Sequence, residues 1–198
     1  MDNALLDTTN KEVSMEQALE HIKDDMSLMV GGFAGTGSPL GLIQGTVRKQ
    51  VKNITLIGTD TGFPRQGVGL MVEAGQITKA IVSHVGTNPL TGKLAAEGKM
   101  EVELVPQGTL AERIRSGGYG LGGVLTPTGI GTDIEIGKMK IEVDGRLYLL
   151  EKPLRADVAI IRCEVADRMG NLICYGTNVA YSLMMAAAAD VVIAEAKQ

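Results

Sequence analysis

The sequence predicts an open α/β fold, a mainly parallel sheet flanked by helices with an antiparallel hairpin inserted near residues 138–152. Three observations predict it. Short apolar runs such as Leu28–Val30, Ile54–Ile57 and Ala156–Ile161 do not alternate in polarity, as expected of strands buried on both faces. Segments of helical spacing separate them. Finally, Lys140–Leu149 alternates around Asp144-Gly145, a dipeptide suited to the two positive φ angles of a type I′ hairpin turn.

Element by element, Ser14-Met15-Glu16-Gln17 forms a capping box that starts a helix running to about Lys23. A strand at Ser27–Gly31 enters a glycine-rich bend, and Ser38-Pro39 then opens a helix to about Gln50, with Ser38 as its cap and Pro39 in its first position. Strands follow at Ile54–Gly58 and Ala80–Val85, with helical spacing at Gly67–Ala74 between them. Glu101–Val105 reads as a half-exposed strand and Thr109–Arg115 as an amphipathic helix with Leu110 and Ile114 on one face. After the hairpin come strands at Ala156–Ile161 and Asn171–Cys174. Val179–Ala189 reads as a helix apolar all round, hence interior, feeding a last strand at Val191–Ala194. No linker or repeat divides the chain, so residues 1–198 are expected to form one domain that buries roughly 70% of its unfolded surface.

Composition narrows the function. A net charge of −4, no Trp and only two Phe argue against general nucleic-acid binding. The longest apolar stretch, Val179 to Ala194, is broken by Ser182 and Asp190 and is too short to span a membrane. The opening Met-Asp-Asn-Ala lacks the basic and apolar segments of a secretory leader, and two cysteines suit a reducing cytoplasm. Cys163 and Cys174 have no ligand partners at metal spacing, so no metal site is expected.

Glycine is the outlier at 26 residues, collecting where apolar runs end. The densest cluster is Gly31, Gly32, Gly35 and Gly37, interleaved with Phe33, Ala34 and Thr36. Missing Cβ atoms let a ligand reach the main chain, and amides beside a helix N-terminus make a concavity suited to a phosphate or carboxylate. Gly32→Val is accordingly expected to obstruct ligand binding while leaving the sheet folded. A nicotinamide-binding unit with Asp60 on the ribose is the first rival, but Gly35-Thr36-Gly37-Ser38-Pro39-Leu40 lacks the third glycine that G-x-G-x-x-G requires. No Gly-Lys-Ser/Thr follows the bend, which excludes a P-loop. Ser182, the two cysteines and His84 have no evident activating partners in sequence, so no catalytic residue is assigned to this chain.

Several segments, in order, resemble the α-type subunits of the family I coenzyme A-transferases. They are Leu28-Met29-Val30-Gly31-Gly32-Phe33 with Gly37 and Pro39, Val85-Gly86-Thr87-Asn88, and the run Glu103–Arg115 that contains Pro106-Gln107-Gly108-Thr109. Leu125-Thr126-Pro127-Thr128-Gly129 with Gly131-Thr132, Pro153-Leu154-Arg155-Ala156-Asp157 and Gly170-Asn171-Leu172 complete the pattern. The resemblance is closest to the α subunits of acetate–acetoacetate and butyrate–acetoacetate transferases. It implies an open sheet of the NagB/RpiA type and transfer of coenzyme A between an acyl-CoA and a free carboxylate through a glutamyl thioester. The nucleophilic glutamate would stand in a Ser-Glu-Asn-Gly segment of a partner β subunit within a hetero-oligomer, a heterotetramer. Coenzyme A is then a substrate, with no permanently bound cofactor. Gly31–Gly37 would bind it through main-chain amides, Asn88 and Gln107 would orient carbonyl oxygens, and Phe33 would exclude water. The alternative is a non-catalytic coenzyme A- or nucleotide-binding regulator on the same fold.

Overall fold

The computed structural model describes residues 10–198; residues 1–9, on which the expectation about a secretory leader rests, lie outside them. In chain order the elements are α1 (Met15–Leu19), β1 (Ser27–Val30), α2 (Leu40–Lys49), β2 (Ile54–Asp60), α3 (Gly69–Glu73), β3 (Ile77–His84), α4 (Pro89–Ala96), β4 (Glu101–Leu104) and α5 (Gln107–Gly118). Then follow β5 (Val124–Thr126), β6 (Lys140–Val143), β7 (Arg146–Glu151), β8 (Ala156–Cys163), β9 (Val165–Ala166), β10 (Leu172–Ile173), α6 (Ser182–Ala188) and β11 (Ala189–Ala196), with short 3-10 turns at Asp133–Glu135 and Gly176–Val179.

Six strands form one sheet in the order β11-β8-β1-β2-β3-β4, every pair parallel. Alternation along each central strand sends neighbouring side chains to opposite layers. Leu28, Val30, Leu56, Val158 and Ile160 pack beneath α1, α2 and α3, where Ala18, Leu42, Ile43 and Met71 meet them. Met29, Ile57, Ala159 and Ile161 face α5 and α6, where Leu110, Ile114 and Met185 close the second core. Burial on both faces explains why these strands read as unbroken apolar runs.

A three-stranded antiparallel sheet, ordered β5-β7-β6, is built from the expected hairpin and a strand that sequence reading missed. Asp144 (φ 50°) and Gly145 (φ 73°) make the turn, and Val143 pairs with Arg146 across it. The small sheet is fastened to α5 from within. Leu154 N–H donates to Arg113 O at 2.8 Å, Arg113 Nε donates to Lys152 O at 2.9 Å, and Gly117 approaches so near to Leu154 O that a Cβ there would overlap it. Lys138 Nζ meets the buried carboxylate of Glu151 at 2.6 Å.

Other departures have local causes. The capping box at Ser14 is present, but α1 ends at Leu19 rather than near Lys23. Helix α4 was not among the expected elements, although Asn88 caps it and Pro89 takes its first turn, the usual opening signature. The segment expected to be one interior helix from Val179 is divided. A 3-10 turn precedes it, Ala180 takes φ 36°, and α6 starts only at Ser182. Nor is α6 interior all round, since Leu183 is 56% exposed. Among the described residues no helix is long and apolar enough to cross a membrane.

Candidate functional site

The C-terminal ends of β1, β2, β3 and β4 deliver the glycine bend, Asp60, His84 with Asn88, and Gln107 respectively to one end of the sheet. This is the end at which open α/β sheets bind their ligands. The bend is a tight corner. Phe33 and Thr36 exchange backbone hydrogen bonds at 2.9 and 2.8 Å around Ala34 (φ 48°) and Gly35 (φ 84°). Behind it, Gly31 N–H donates to Ile160 O at 2.9 Å and Thr59 Oγ1 lies 3.1 Å from Gly32 O. Phe33 stands out from the corner, 48% exposed.

The corner does not present an empty anion site. Ala34 N–H donates to Asp60 Oδ2 at 2.8 Å, and that buried carboxylate also accepts from Thr59 Oγ1 at 2.7 Å and from Gly62 N–H at 2.7 Å. The N-terminus of α2 is served likewise, because Leu42 N–H donates to Glu195 Oε2 at 2.9 Å, from the edge strand β11. Two carboxylates of the chain itself therefore take the places expected for a phosphate or carboxylate ligand. Ser38 does not cap α2 either. Pro39 is the cap residue, without a side-chain bond, and Ser38 is buried against Gly32. Among the described residues the N–H groups of Gly32, Gly35, Gly37 and Ser38 meet no acceptor, and those of Gly35 and Gly37, within the bend itself, are the candidates to meet a ligand.

The other expected residues divide. Asn88 has no exposed surface: its Nδ2 donates to Thr61 O at 3.2 Å and its Oδ1 accepts from Leu90 N–H at 3.2 Å. It anchors the loop after β3 and caps α4, so an outward role in orienting a ligand carbonyl gives way to one of holding the loop. Gln107 is exposed at the head of α5, and its carbonyl accepts from Tyr181 Oη at 2.7 Å. Asp60, weighed above only as a ribose ligand, has both oxygens engaged within the chain, which removes that reading on geometry as well. Its real role had one signal in sequence: an acid closing an apolar strand opposite a glycine bend. Tyr181 had none.

Nucleophiles remain poor. Burial pushes both the Cys163 and Cys174 thiols up, and both are free. Ser182 is fully buried, its hydroxyl without a partner among the described residues and pressed against Gly31. Ser182→Ala is expected to leave stability within about 1 kcal/mol, since an unpartnered hydroxyl contributes little. It should also leave transfer by the assembled enzyme intact, as steady-state turnover would check.

Space is as informative as chemistry. The niche bounded by Gly31, Gly32, Ala34, Gly35, Ser38, Asp60 and Gly62 has a volume of about 10 Å³, room for a single water. A larger groove of about 470 Å³ begins beside Gln107, at Gly108 and Thr109, and runs along α5 between Arg115 and β5. Volume alone favours the groove; the free amides and the convergence of strand ends favour the corner.

The coenzyme A transferase family model matches residues 12–198, nearly the whole chain. This chain belongs to the coenzyme A transferase family. The acetoacetyl-CoA:acetate/butyrate CoA transferase alpha subunit of Clostridium acetobutylicum is 48% identical over 188 residues, covering 95% of this chain and 86% of that one. The alpha subunit of the acetate CoA-transferase of Escherichia coli is 45% identical over 185 residues, covering 93% and 84%. Among solved structures, the acyl-CoA transferase YdiF apoenzyme of Escherichia coli O157:H7 superimposes with a TM-score of 0.82 at 22% identity. That match covers 96% of this chain but only 42% of YdiF, so this transferase chain spans less than half the length of that one. The likeness establishes the fold, and the segments singled out by resemblance acquire physical roles within it. Pro153–Asp157, for example, is a fastening. Arg155 donates to Gly117 O and pairs with Asp190, both at 2.9 Å, and Asp157 accepts from Ser27 N–H and Oγ at 2.7 and 2.6 Å. Those bonds hold the Asp157 carboxyl below its usual range.

Proposed function

We propose that this chain is the α subunit of a short-chain acid CoA-transferase, a cytoplasmic hetero-oligomer whose β subunit carries the attacking glutamate in a Ser-Glu-Asn-Gly segment. The observation that carries the reading is a half-site. The corner offers uncommitted amides, Gly35 and Gly37 among them, has room for about one water, and among the described residues has no activated nucleophile beside it. A site that grips but cannot attack is what one half of a divided catalyst looks like, and the 48% identical relative is itself an alpha subunit.

The chemistry is covalent and runs in balanced steps. The partner's glutamate attacks the acyl-CoA thioester carbonyl; the C–S bond breaks, leaving an acyl-glutamyl anhydride and CoA thiolate. The thiolate then attacks the glutamyl carbonyl and releases the first carboxylate. The incoming acid repeats these steps in reverse, leaving with CoA and restoring the glutamate. This chain binds and positions. Asp60 and Glu195 already fill the anionic places, so neutral oxygens suit the Gly35 and Gly37 amides, above all the thioester carbonyl. Phe33, exposed over the corner, keeps water from the hydrolysable anhydride once the partner closes the site. A single exposed helix terminus contributes only about 0.3–1 kcal/mol. Most of the orienting energy therefore comes from the remote binding of CoA across both subunits.

The test is to assay the purified chain with acetyl-CoA and either acetoacetate or butyrate, first alone and then with its partner. No transfer is expected from the chain alone, and transfer is expected from the pair. Turnover by the chain freed of its partner would overturn the reading.

A further inference from the structure

We infer that Tyr181 is a positioning residue for the transfer reaction, a phenol that ties the head of α5 to the back of the glycine corner. The inference rests on the function proposed above and on a geometry independent of it. Tyr181 precedes α6 and is 8% exposed. Its hydroxyl donates to the backbone carbonyl of Gln107 at 2.7 Å, across 74 residues of sequence. The next residue, Ser182, is packed so closely behind Gly31 that a Cβ on that glycine would lie 2.8 Å from its Oγ. One dipeptide thus touches both segments that present candidate ligand-facing groups, the amide corner after β1 and exposed Gln107 on α5.

The tie adds to what already sets the start of α5: just before it Val105 N–H donates to Val82 O at 2.9 Å, and Thr109 and Leu110 of its first turn are buried. Its cap residue is Pro106, which has no side-chain acceptor for the first amides. Further along, Gly118 lies against Ala187, so α5 and α6 are also in close contact away from Tyr181. Together with that far contact and the buried Leu110, the phenol adds a polar tie that holds Gln107, at the head of α5, relative to the corner. Burial pushes the Tyr181 phenol up to about 12, so it stays protonated, and a donor, at neutral pH.

A buried tyrosine finds a partner in most proteins, and a purely structural role must be separable from a positioning one. In the reconstituted α–β enzyme, Tyr181→Phe deletes only the hydroxyl. It is expected to lower kcat/KM for the acceptor acid about tenfold, the scale of a small misplacement of a reacting group, while the KM for acyl-CoA changes less than about twofold. In the same background Gln107→Ala should have almost no further effect, because the side chain it removes is already out of place. Wild-type kinetics in Y181F, or effects of the two substitutions that simply multiply, would overturn the inference. Hydrogen exchange supplies an arm that needs no turnover. The segments 31–38 and 107–112 should exchange faster in Y181F, and unchanged exchange also overturns the tie. If the wild-type pair fails to transfer CoA, the functional reading falls while the exchange result still decides the role of Tyr181.

Discussion

Gly32→Val is expected to dismantle the corner and abolish transfer, rather than obstruct a ligand in an otherwise intact protein. Gly32 takes φ +107°, a region L side chains avoid. A Cβ built there points into the protein, 2.4 Å from Ser38 Oγ, 2.8 Å from Ser38 N and 2.9 Å from Thr36 O. The hydroxyl can rotate away, but the other two atoms are backbone belonging to the turn itself. Valine adds two methyl groups to a site with no room for one, so the loss should be about 3 kcal/mol or more. For a protein of this size that corresponds to a fall in Tm of about 10 °C. Gly35→Ala is the control. Gly35 has φ +84°, but a Cβ there meets nothing within 4 Å, so only the backbone cost of about 1 kcal/mol applies. Thermal melts of the two variants should differ several-fold in their shifts. A Gly32→Val protein that melts like wild type and still transfers CoA would show that the corner is not built as described.

Asp60→Asn should have the second largest effect. Each carboxylate oxygen of Asp60 accepts from donors that point at it: Ala34 N–H and Thr59 Oγ1 on one side, Gly62 N–H on the other. An amide in its place keeps one acceptor and turns an NH₂ toward a donor, leaving a buried N–H unpaired. Hydrogen bonds to a charged acceptor are worth about 1.5–3 kcal/mol each, so a loss of about 2–4 kcal/mol is expected. Ala34 is released at the same time, and the turn that presents the Gly35 amide loses its tie to β2. A displacement of about 1 Å at a reacting centre commonly costs about 100-fold, and a fall of that size in kcat/KM is expected. Urea unfolding should show a lower midpoint at an unchanged slope. Wild-type stability together with wild-type turnover would remove Asp60 from the account of the corner.

Both expectations differ from what the residues alone suggested, and the reason is geometric. The glycine bend was legible because glycines after an apolar run state a backbone preference locally. The amides it exposes were legible too. Which of them are already used was not. Ala34 is satisfied by a carboxylate 26 residues away and Leu42 by one 153 residues away, separations at which no periodicity or motif carries information. Asn88 shows the same division on a smaller scale. Its place before Pro89 is a helix-opening signal, and that local role consumed the side chain expected to face the ligand.

Most of the order of strands and helices, the type I′ turn at Asp144-Gly145, the corner at Gly31–Gly37 and the membership of a transferase family could be read along the chain. The first three depend on φ preferences and apolar spacing over a few neighbouring residues, and the family on the resemblance of whole segments. Folding alone decided that Asp60 and Glu195 fill the anion positions, that Ser38 packs under Gly32 instead of capping α2, and that Tyr181 reaches Gln107 across 74 residues. Those pairings exist only because six parallel strands bring their C-terminal ends to one place, where polar groups remote in sequence must find partners out of water.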